Sequence, residues 1–159
     1  MRKIAPYVFA LFAALPMSAH SSGPYFTLEE RPVIDFVEEA VDKALSHDFA
    51  SWPESLESMR SAFSTDEAYE DYKHQVSSAL LPTIREHHLI FNPQDIQVES
   101  MEKVASESES AQWRVGGTLN LEIQSSKGAS HERRSFDMVV LETKHGYGVN
   151  SVVLRSAGH

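Results

Sequence analysis

The segment QWRVGGTLNLEI, Gln112–Ile123, decides the fold of this 159-residue chain. Polar side chains alternate in it with apolar ones, which are Trp113, Val115, Leu119, Leu121 and Ile123. Because successive side chains of a strand point to opposite faces of a sheet, this alternation predicts a strand with one buried face. Gly116 and Gly117 interrupt the pattern and predict a bulge or a sharp bend.

Further strands are predicted on both sides of this segment. The expected elements after Pro93 are a strand around Ile96–Val98, the central strand, a loop at Lys127–Glu132, an inner strand at Phe136–Leu141, a hairpin turn at Gly146 and a last strand at Tyr147–Leu154. The inner strand is expected because its residues are apolar on both faces. The second half of the chain therefore predicts about four antiparallel strands.

The first half of the chain predicts helices. Pro32 suits the first turn of a helix, where its missing N–H group is not needed. Apolar residues then recur at spacings of three and four, as in an amphipathic helix: Val33, Ile34, Phe36, Val37, Ala40, Val41, Ala44 and Leu45. Ser51 with Glu54 and Ser64 with Glu67 have the spacing of a capping box, so two shorter helices are expected, the second ending or kinking at Pro82. Helices followed by strands indicate an α+β domain.

The first 19 residues have the composition of a secretory signal peptide. Arg2 and Lys3 precede an apolar run, and small residues follow it up to Ala19. As a helix, the stretch from Ile4 to Ala19 would be about 24 Å long, shorter than the roughly 30 Å core of a bilayer. We therefore expect a signal peptide at 1–19, a lead-in segment at 20–31, and a single domain at 32–159 that is exported from the cytoplasm without a stable membrane anchor.

Composition excludes several classes of function. The net charge is −9, with 23 acidic against 14 basic residues, which disfavours binding to nucleic acid or to anionic lipid surfaces. The chain has no cysteine, so disulfides, thiol nucleophiles and thiolate metal sites are excluded. With 42% hydrophobic residues the chain can build an apolar core. Phosphate-binding, dinucleotide-binding and serine-hydrolase motifs are absent from the sequence, so we expect no cofactor and no catalytic residue.

Four stretches together resemble the DotI/IcmL/TraM family of type IVB secretion and conjugation proteins. They are AVDKALSHDFASW (Ala40–Trp52), FSTDEAYEDY (Phe63–Tyr72), QWRVGGTLNLEI (Gln112–Ile123) and FDMVVLETKHGYGVNSVVLR (Phe136–Arg155). The third is similar to the family's tryptophan-led strand, and the fourth is similar to its closing hairpin. The resemblance covers most of the chain after residue 40.

This resemblance implies a fold, a location and a class of partner. The family's periplasmic domain is a nuclear-transport-factor-like (cystatin-like) cone, in which a curved antiparallel sheet wraps onto a long helix. Family members generally carry a spanning helix before this domain, whereas a cleavable leader is expected here. The resemblance thus implies a non-enzymatic periplasmic accessory or structural component of the secretion apparatus. Its partners would be secretion-apparatus proteins and further copies of itself.

Two other functions stay open from the residues. The cone fold also hosts isomerases and dehydratases, so an exported small-molecule-binding or isomerase-type domain is the alternative; its acid–base candidates are Asp137, Tyr72 and Tyr147. Asp137, beside Arg133 and Arg134, is expected instead in a surface ion pair, and the tyrosines are expected to pack with hydroxyls near water. His87 and His88 are the candidates for a metal carrier. Neighbouring helical residues point about 100° apart and further ligands are lacking, so no metal site is expected.

Partner contacts are expected at four residues. Trp52 and Tyr147 lie at element ends, where aromatic side chains either close the core or contact other proteins. Arg133 and Arg134 belong to a basic cluster with Lys127 and His131, in or beside the expected loop. Such a cluster is either a solvated turn or a docking patch for an acidic partner.

Overall fold

The helices precede the long strands, as the sequence predicts. The computed structural model describes residues 25–105 and 110–156, so the signal peptide predicted for 1–19 lies outside the described residues. The elements are α1 (Arg31–Leu45), β1 (His47–Asp48), α2 (Trp52–Ser58), a 3₁₀ turn (Arg60–Ala62), α3 (Asp66–Ala79), α4 (Leu81–Glu86), β2 (Ile90–Val104), β3 (Gln112–Ser125), β4 (Gly128–Thr143) and β5 (Gly146–Ser156). This is an α+β domain, as expected.

The first helix is the one that the apolar spacing predicts. Helix α1 begins one residue before Pro32, in the last residue of the predicted lead-in segment, and runs for 15 residues. Its buried residues form one stripe: Val33, Ile34, Val37, Ala40, Val41, Ala44 and Leu45. Burying such a stripe against a sheet, rather than intrinsic propensity, provides most of a helix's stability.

The predicted capping boxes are not what begins the shorter helices. Ser51 precedes α2 but makes no side-chain cap hydrogen bond. Helix α3 is capped by Thr65, whose hydroxyl accepts from the N–H of Ala68 at 3.1 Å. Ser64 instead donates its backbone N–H to the carbonyl of Val149, and this long-range contact fixes it before the helix. Pro82 ends α3 as predicted, by standing in the first turn of α4.

The sheet is an antiparallel meander in the order β1-β2-β3-β4-β5. The sequence predicts about four strands, and these are β2 to β5. The fifth is β1, which has two residues and pairs His47 with Phe91 and Asp48 with Ile90. Two residues show no periodicity, so this strand has no signal in the sequence.

The glycine pair in β3 lies at a bulge, as predicted. The pairing of β2 with β3 shifts between Val98 and Ser100, opposite Gly117 and Gly116. A Cβ on Gly117 would stand 2.1 Å from the carbonyl oxygen of Gln97 and 2.5 Å from the ring of Phe136. Position 117 therefore excludes every other residue, and the close approach lets the sheet curve around the core.

The loop predicted at Lys127–Glu132 is wrong. Strand β4 already begins at Gly128, which pairs with Ser125 and has a φ of +124°. The stretch is polar because this end of the hairpin is exposed, and pairing with β3 rather than hydrophobicity makes it a strand. The turn predicted at Gly146 is correct, with Gly146 paired to Thr143 and a φ of +123°.

The two faces of the sheet differ in polarity. The inner face packs on the helices through buried residues that include Val115, Leu119, Leu121, Phe136, Met138, Val140, Val149 and Val152. The outer face carries cross-strand polar pairs, such as Thr118 with Glu99 at 2.7 Å and Asn120 with Asp95 at 3.0 Å. One buried face and one solvated face are typical of an antiparallel sheet.

Candidate functional site

A cleft of about 1070 Å³ opens between helices α3 and α4 and the inner face of the sheet. Its floor is apolar and is formed mainly by Leu45, Tyr72, Val76, Leu80, Phe91, Leu121, Ile123 and Leu154. Its rim is polar and includes Gln75, Thr83, Glu86, His87, Ser126, Lys127, Ser130 and Ser156. An apolar floor with a few polar groups at the rim is the usual build of a site for a small molecule or a partner's side chains.

Arg134 is the charged residue most deeply set in this cleft. Its side chain is 20% exposed, and its guanidinium pairs with Glu132 and donates to the hydroxyl of Ser156 at 3.1 Å. Within the described residues, its buried Nε has no hydrogen-bond partner. The contact with Glu132 compensates much of the charge, so Arg134 does not make the cleft a strong anion site.

Asp137, the first acid–base candidate, lies outside the cleft. It is on the outer face of β4, about half exposed, and pairs with Arg155 of β5 at 2.7 Å. The ion pair expected for it is therefore present, but its partner is Arg155 and not Arg133 or Arg134. The neighbouring strand supplies the partner: Asp137 lies opposite Val153, and Arg155 is the diagonal neighbour two residues further along β5, within reach of a long side chain.

The two tyrosine candidates differ in burial and in the groups that they contact. Tyr72 is buried and its hydroxyl donates to the carbonyl of Ala44 at 2.9 Å, so the expectation of a hydroxyl near water is wrong for it. Burial raises the pKa of Tyr72 well above its ordinary value, which keeps the phenol neutral. Tyr147 begins β5, half-buried, with its ring 5.9 Å from that of Phe36. Neither tyrosine faces Asp137 across a shared pocket.

The two histidines at the end of α4 belong to no cluster of candidate metal ligands in the described part of the chain. Among residues 25–105 and 110–156, no group of three or more histidine, aspartate or glutamate side chains could hold an ion. His87 follows the last turn of α4, and His88 has a φ of +49°, which turns the chain towards β2. The ring of His88 stacks edge-on against Phe49 at 5.0 Å.

Of the four predicted contact residues, Trp52 belongs to an exposed corner beside the cleft. The guanidinium of Arg85 lies 5.7 Å from the centre of the Trp52 ring, a cation–π distance. Phe49, 37% exposed, and His88 complete this corner. Sequence reasoning missed Phe49, because an aromatic residue after a two-residue strand has no pattern to mark it.

Arg133 and Arg134 lie on opposite faces of the sheet. Arg133 is on the outer face, 3.7 Å from Glu99, whereas Arg134 lines the cleft. Consecutive strand residues always separate in this way, so the basic cluster cannot form one patch. The four predicted contact residues therefore occupy different places: Trp52 by α4, Arg133 outside, Arg134 in the cleft and Tyr147 at the start of β5.

His47 is a buried titratable residue that the sequence did not single out. It is 1% exposed, and neither ring nitrogen has a hydrogen-bond partner among the described residues. Burial lowers the pKa of His47, and the nearby backbone carbonyl of Ala44, which lies outside hydrogen-bond geometry, opposes this only in part. The imidazole is thus held neutral between α1 and β2.

The fold matches solved structures of low sequence identity. The periplasmic domain of DotI superposes with a TM-score of 0.70 at 15% identity, over 85% of this chain and 100% of that one. A periplasmic fragment of TraM gives 0.66 at 11% identity, over 82% and 100%. An IcmL-like type IV secretion system protein from Legionella pneumophila gives 0.64 at 11% identity, over 87% and 97%. The cone fold with a curved antiparallel sheet, expected from the resemblance, is confirmed.

Two further findings concern membrane-spanning helices and curated relatives. None of the helices in the described part is both long and apolar enough to cross a membrane. A comparison with curated protein sequences finds no match.

The sequence matches a family model across residues 15–155. That family is described as a type IVb secretion system, inner-membrane complex component. The match spans most of the chain, including all the helices and strands of the described fold. The chain therefore belongs to the DotI/IcmL family of type IVB secretion-system proteins.

Proposed function

We propose that this protein is exported to the periplasm and works there as a non-enzymatic accessory or structural component of a type IVB secretion apparatus. It acts through protein–protein contacts, with other apparatus proteins and with further copies of itself. The family match over residues 15–155 carries this proposal. This match covers the whole cone domain, rather than a short motif, and the family consists of secretion components.

The arrangement of polar groups supports a non-enzymatic role. General acid–base catalysis needs titratable side chains within hydrogen-bond reach of one substrate. Asp137 is on the outer face in an ion pair with Arg155, and the Tyr72 hydroxyl is engaged by Ala44. Neither group is free to transfer a proton to a molecule in the cleft.

The leader and the similar structures support a periplasmic location. Residues 1–19 have the basic head, apolar run and small residues of a signal peptide. Two of the three similar structures are described as periplasmic, one a domain and one a fragment. After cleavage the domain 32–159 is free of a stable membrane anchor, and its acidic charge keeps it from nucleic acid.

The location is tested by cell fractionation with determination of the mature N-terminus. We expect a soluble periplasmic protein that begins just after Ala19. A full-length chain held in the inner membrane would contradict export by a cleaved leader. This measurement is independent of any partner, so it tests the location by itself.

The contacts are tested by placing a photo-crosslinking amino acid at single positions in intact cells. Trp52, Arg133, Arg134 and Tyr147 are the test positions, and exposed Glu102 of β2 is the matched control. We expect crosslinks to secretion-apparatus proteins from at least one test position and none from Glu102. Absence of apparatus proteins from all four would contradict the proposal.

The cleft favours one alternative, an exported small-molecule-binding or isomerase-type domain. Its volume of about 1070 Å³ suits a drug-sized ligand, and its floor is apolar. Native mass spectrometry of the protein recovered from cells is the test. A bound metabolite lost in a Leu154→Trp variant would favour this alternative over the structural role, whereas an empty protein would dismiss it.

A further inference from the structure

The two edges of the sheet are protected to very different degrees. On one side, β1 covers only Ile90 and Phe91, and the rest of β2 is an edge. That edge carries Pro93, two register shifts and several charges, among them Asp95, Glu99, Glu102 and Lys103. Proline, bulges and charges are the features by which proteins prevent a foreign strand from pairing with an edge.

The other edge, β5, has fewer of these features over its last six residues. Ser151–Ser156 (SVVLRS) contains no proline, no register shift after Ser151 and a single charge, Arg155. Val153 is 37% exposed on the outer face. Within residues 25–105 and 110–156, no strand lies beyond β5. An exposed, regular and weakly charged edge is the type to which another strand can add.

The same edge already pairs with an extended segment at its other end. Phe63 forms a parallel bridge with Val149, and the N–H of Ser64 donates to the carbonyl of Val149 at 2.8 Å. This pairing stops because α3 begins at Asp66 and takes the chain away from the edge. The outward groups of β5 are therefore able to pair, and no partner strand for Ser151–Ser156 comes from the described part of the chain.

We propose that Ser151–Arg155 pairs antiparallel with the same segment of a second copy, about a two-fold axis at Val153. In this register Val153 lies opposite itself, Val152 lies opposite Leu154, and Ser151 lies opposite Arg155. A two-fold contact requires a self-complementary surface. These residue pairs meet that requirement, because they are apolar or polar and place no two like charges opposite each other.

Charge permits a second copy at this edge and disfavours it at β2. Arg155 is neutralised within each copy by Asp137 at 2.7 Å. The two Arg155 residues would lie about 14 Å apart along the paired strands, beyond the screening length of about 8 Å at physiological salt. Pairing of two β2 edges would instead bring the acidic groups of Glu99 and Glu102 together in a chain whose net charge is −9.

The pairing gives a dimer that is weak in solution. Five residues per strand bury less than the roughly 1,200 Å² of a stable specific interface. The inference deepens the self-association part of the proposed function and needs no other apparatus protein. Its failure would leave the contacts with those proteins untouched, since it is tested on purified protein.

A disulfide trap tests the pairing directly, because the chain has no cysteine of its own. Residues opposite each other in antiparallel strands have Cα atoms about 4.5–5.5 Å apart, within the range that a disulfide spans. The protein is purified in the form that the cell accumulates, with Val153→Cys, and oxidised. We expect most of it to become a covalent dimer. The matched control, Glu102→Cys on the β2 edge, is expected to remain monomeric.

The register is tested by mixing two single variants. Ser151→Cys and Arg155→Cys are expected to crosslink with each other at least tenfold more than either does with itself. A Val153→Cys yield no higher than that of Glu102→Cys would overturn the proposal. So would preferential crosslinking of Val153→Cys to a different protein in intact cells.

Sedimentation velocity of the unmodified protein provides a test that needs no cysteine. We expect a sedimentation coefficient that rises with concentration for the native sequence and stays constant for Val153→Lys, which places two lysines opposite each other. An unchanged melting temperature would show that Val153→Lys is folded. A native protein that stays monomeric at millimolar concentration would overturn the proposal.

Discussion

The inner face of the sheet has a closed half and an open half, built from the same strands. In the closed half, helix α1 and the neighbouring helices cover side chains such as Val115, Leu119 and Met138, all at most 2% exposed. In the open half, Ile123 and Leu154 are only partly buried and face the cleft. The apolar pattern of β3 is continuous across both, so the helices above the sheet, and not the strands, determine where the cleft lies.

The largest expected effect is at the bulge that lets the sheet curve over the closed half. In Gly117→Ala the new Cβ would meet the backbone of Gln97 at 2.1 Å, which cannot move without breaking the pairing of β2 with β3. We expect a loss of about 3 kcal/mol in the free energy of unfolding, or failure to fold. Urea denaturation measures it.

Gly116→Ala is the matched control for this substitution. Its Cβ would stand 2.8 Å from the hydroxyl of Ser100, which can rotate away, so the expected loss is about 1 kcal/mol. Equal losses at the two positions would contradict the role assigned to Gly117.

Two leucine-to-alanine substitutions, one in each half, compare how much each half contributes to the free energy of unfolding. Leu119→Ala leaves a cavity in the closed half, where the side chain is 2% exposed, and is expected to cost about 3 kcal/mol. Leu154→Ala removes a partly exposed side chain in the open half and is expected to cost about 1 kcal/mol. Thermal and urea denaturation check both values, and similar costs would show that the cleft is closed in solution.

The sequence predicted the closed half better than the open half. The parity of Leu119 and Leu121 and the helical spacing of α1 follow from burial, and burial produces periodicity. The cleft depends on where α3 and α4 end relative to the β3–β4 hairpin, which is a tertiary relation without a periodic signal. Arg134 was predicted in a basic cluster in or beside a loop at Lys127–Glu132, whereas pairing with β3 makes that stretch, from Gly128 on, part of a strand.

A buried histidine gives the closed part of the fold a pH dependence. Burial lowers the pKa of His47 in the folded state, so the unfolded chain binds the proton more readily below about pH 6.5. The contribution to stability is complete above that pH and is lost as the pH falls towards the lowered value. Over that range, the free energy of unfolding changes with a slope that approaches about 1.4 kcal/mol per pH unit.

The measurement is the free energy of unfolding of the native protein and of His47→Leu between pH 7 and pH 5. We expect the difference between the two to change by about 1 kcal/mol, with the native protein losing more stability at the acidic end. Parallel pH profiles would show that His47 is not held neutral by the fold.

The smallest effect is expected on the outer face. Asp137 and Arg155 form an ion pair in which both side chains are about half exposed. Because solvent screens such a pair, Asp137→Asn is expected to change the free energy of unfolding by at most about 0.5 kcal/mol. A loss above 2 kcal/mol, measured by urea denaturation, would mean that Asp137 has a buried role and would reopen its candidacy as an acid.

The most direct test of the central claim is quantitative mass spectrometry of proteins captured with this one after crosslinking in intact cells. A component of a type IVB secretion apparatus that works through protein contacts should bring other apparatus proteins with it, enriched at least tenfold over a mock capture from cells that lack this protein. Recovery of the folded protein with no apparatus protein above that background would contradict the account.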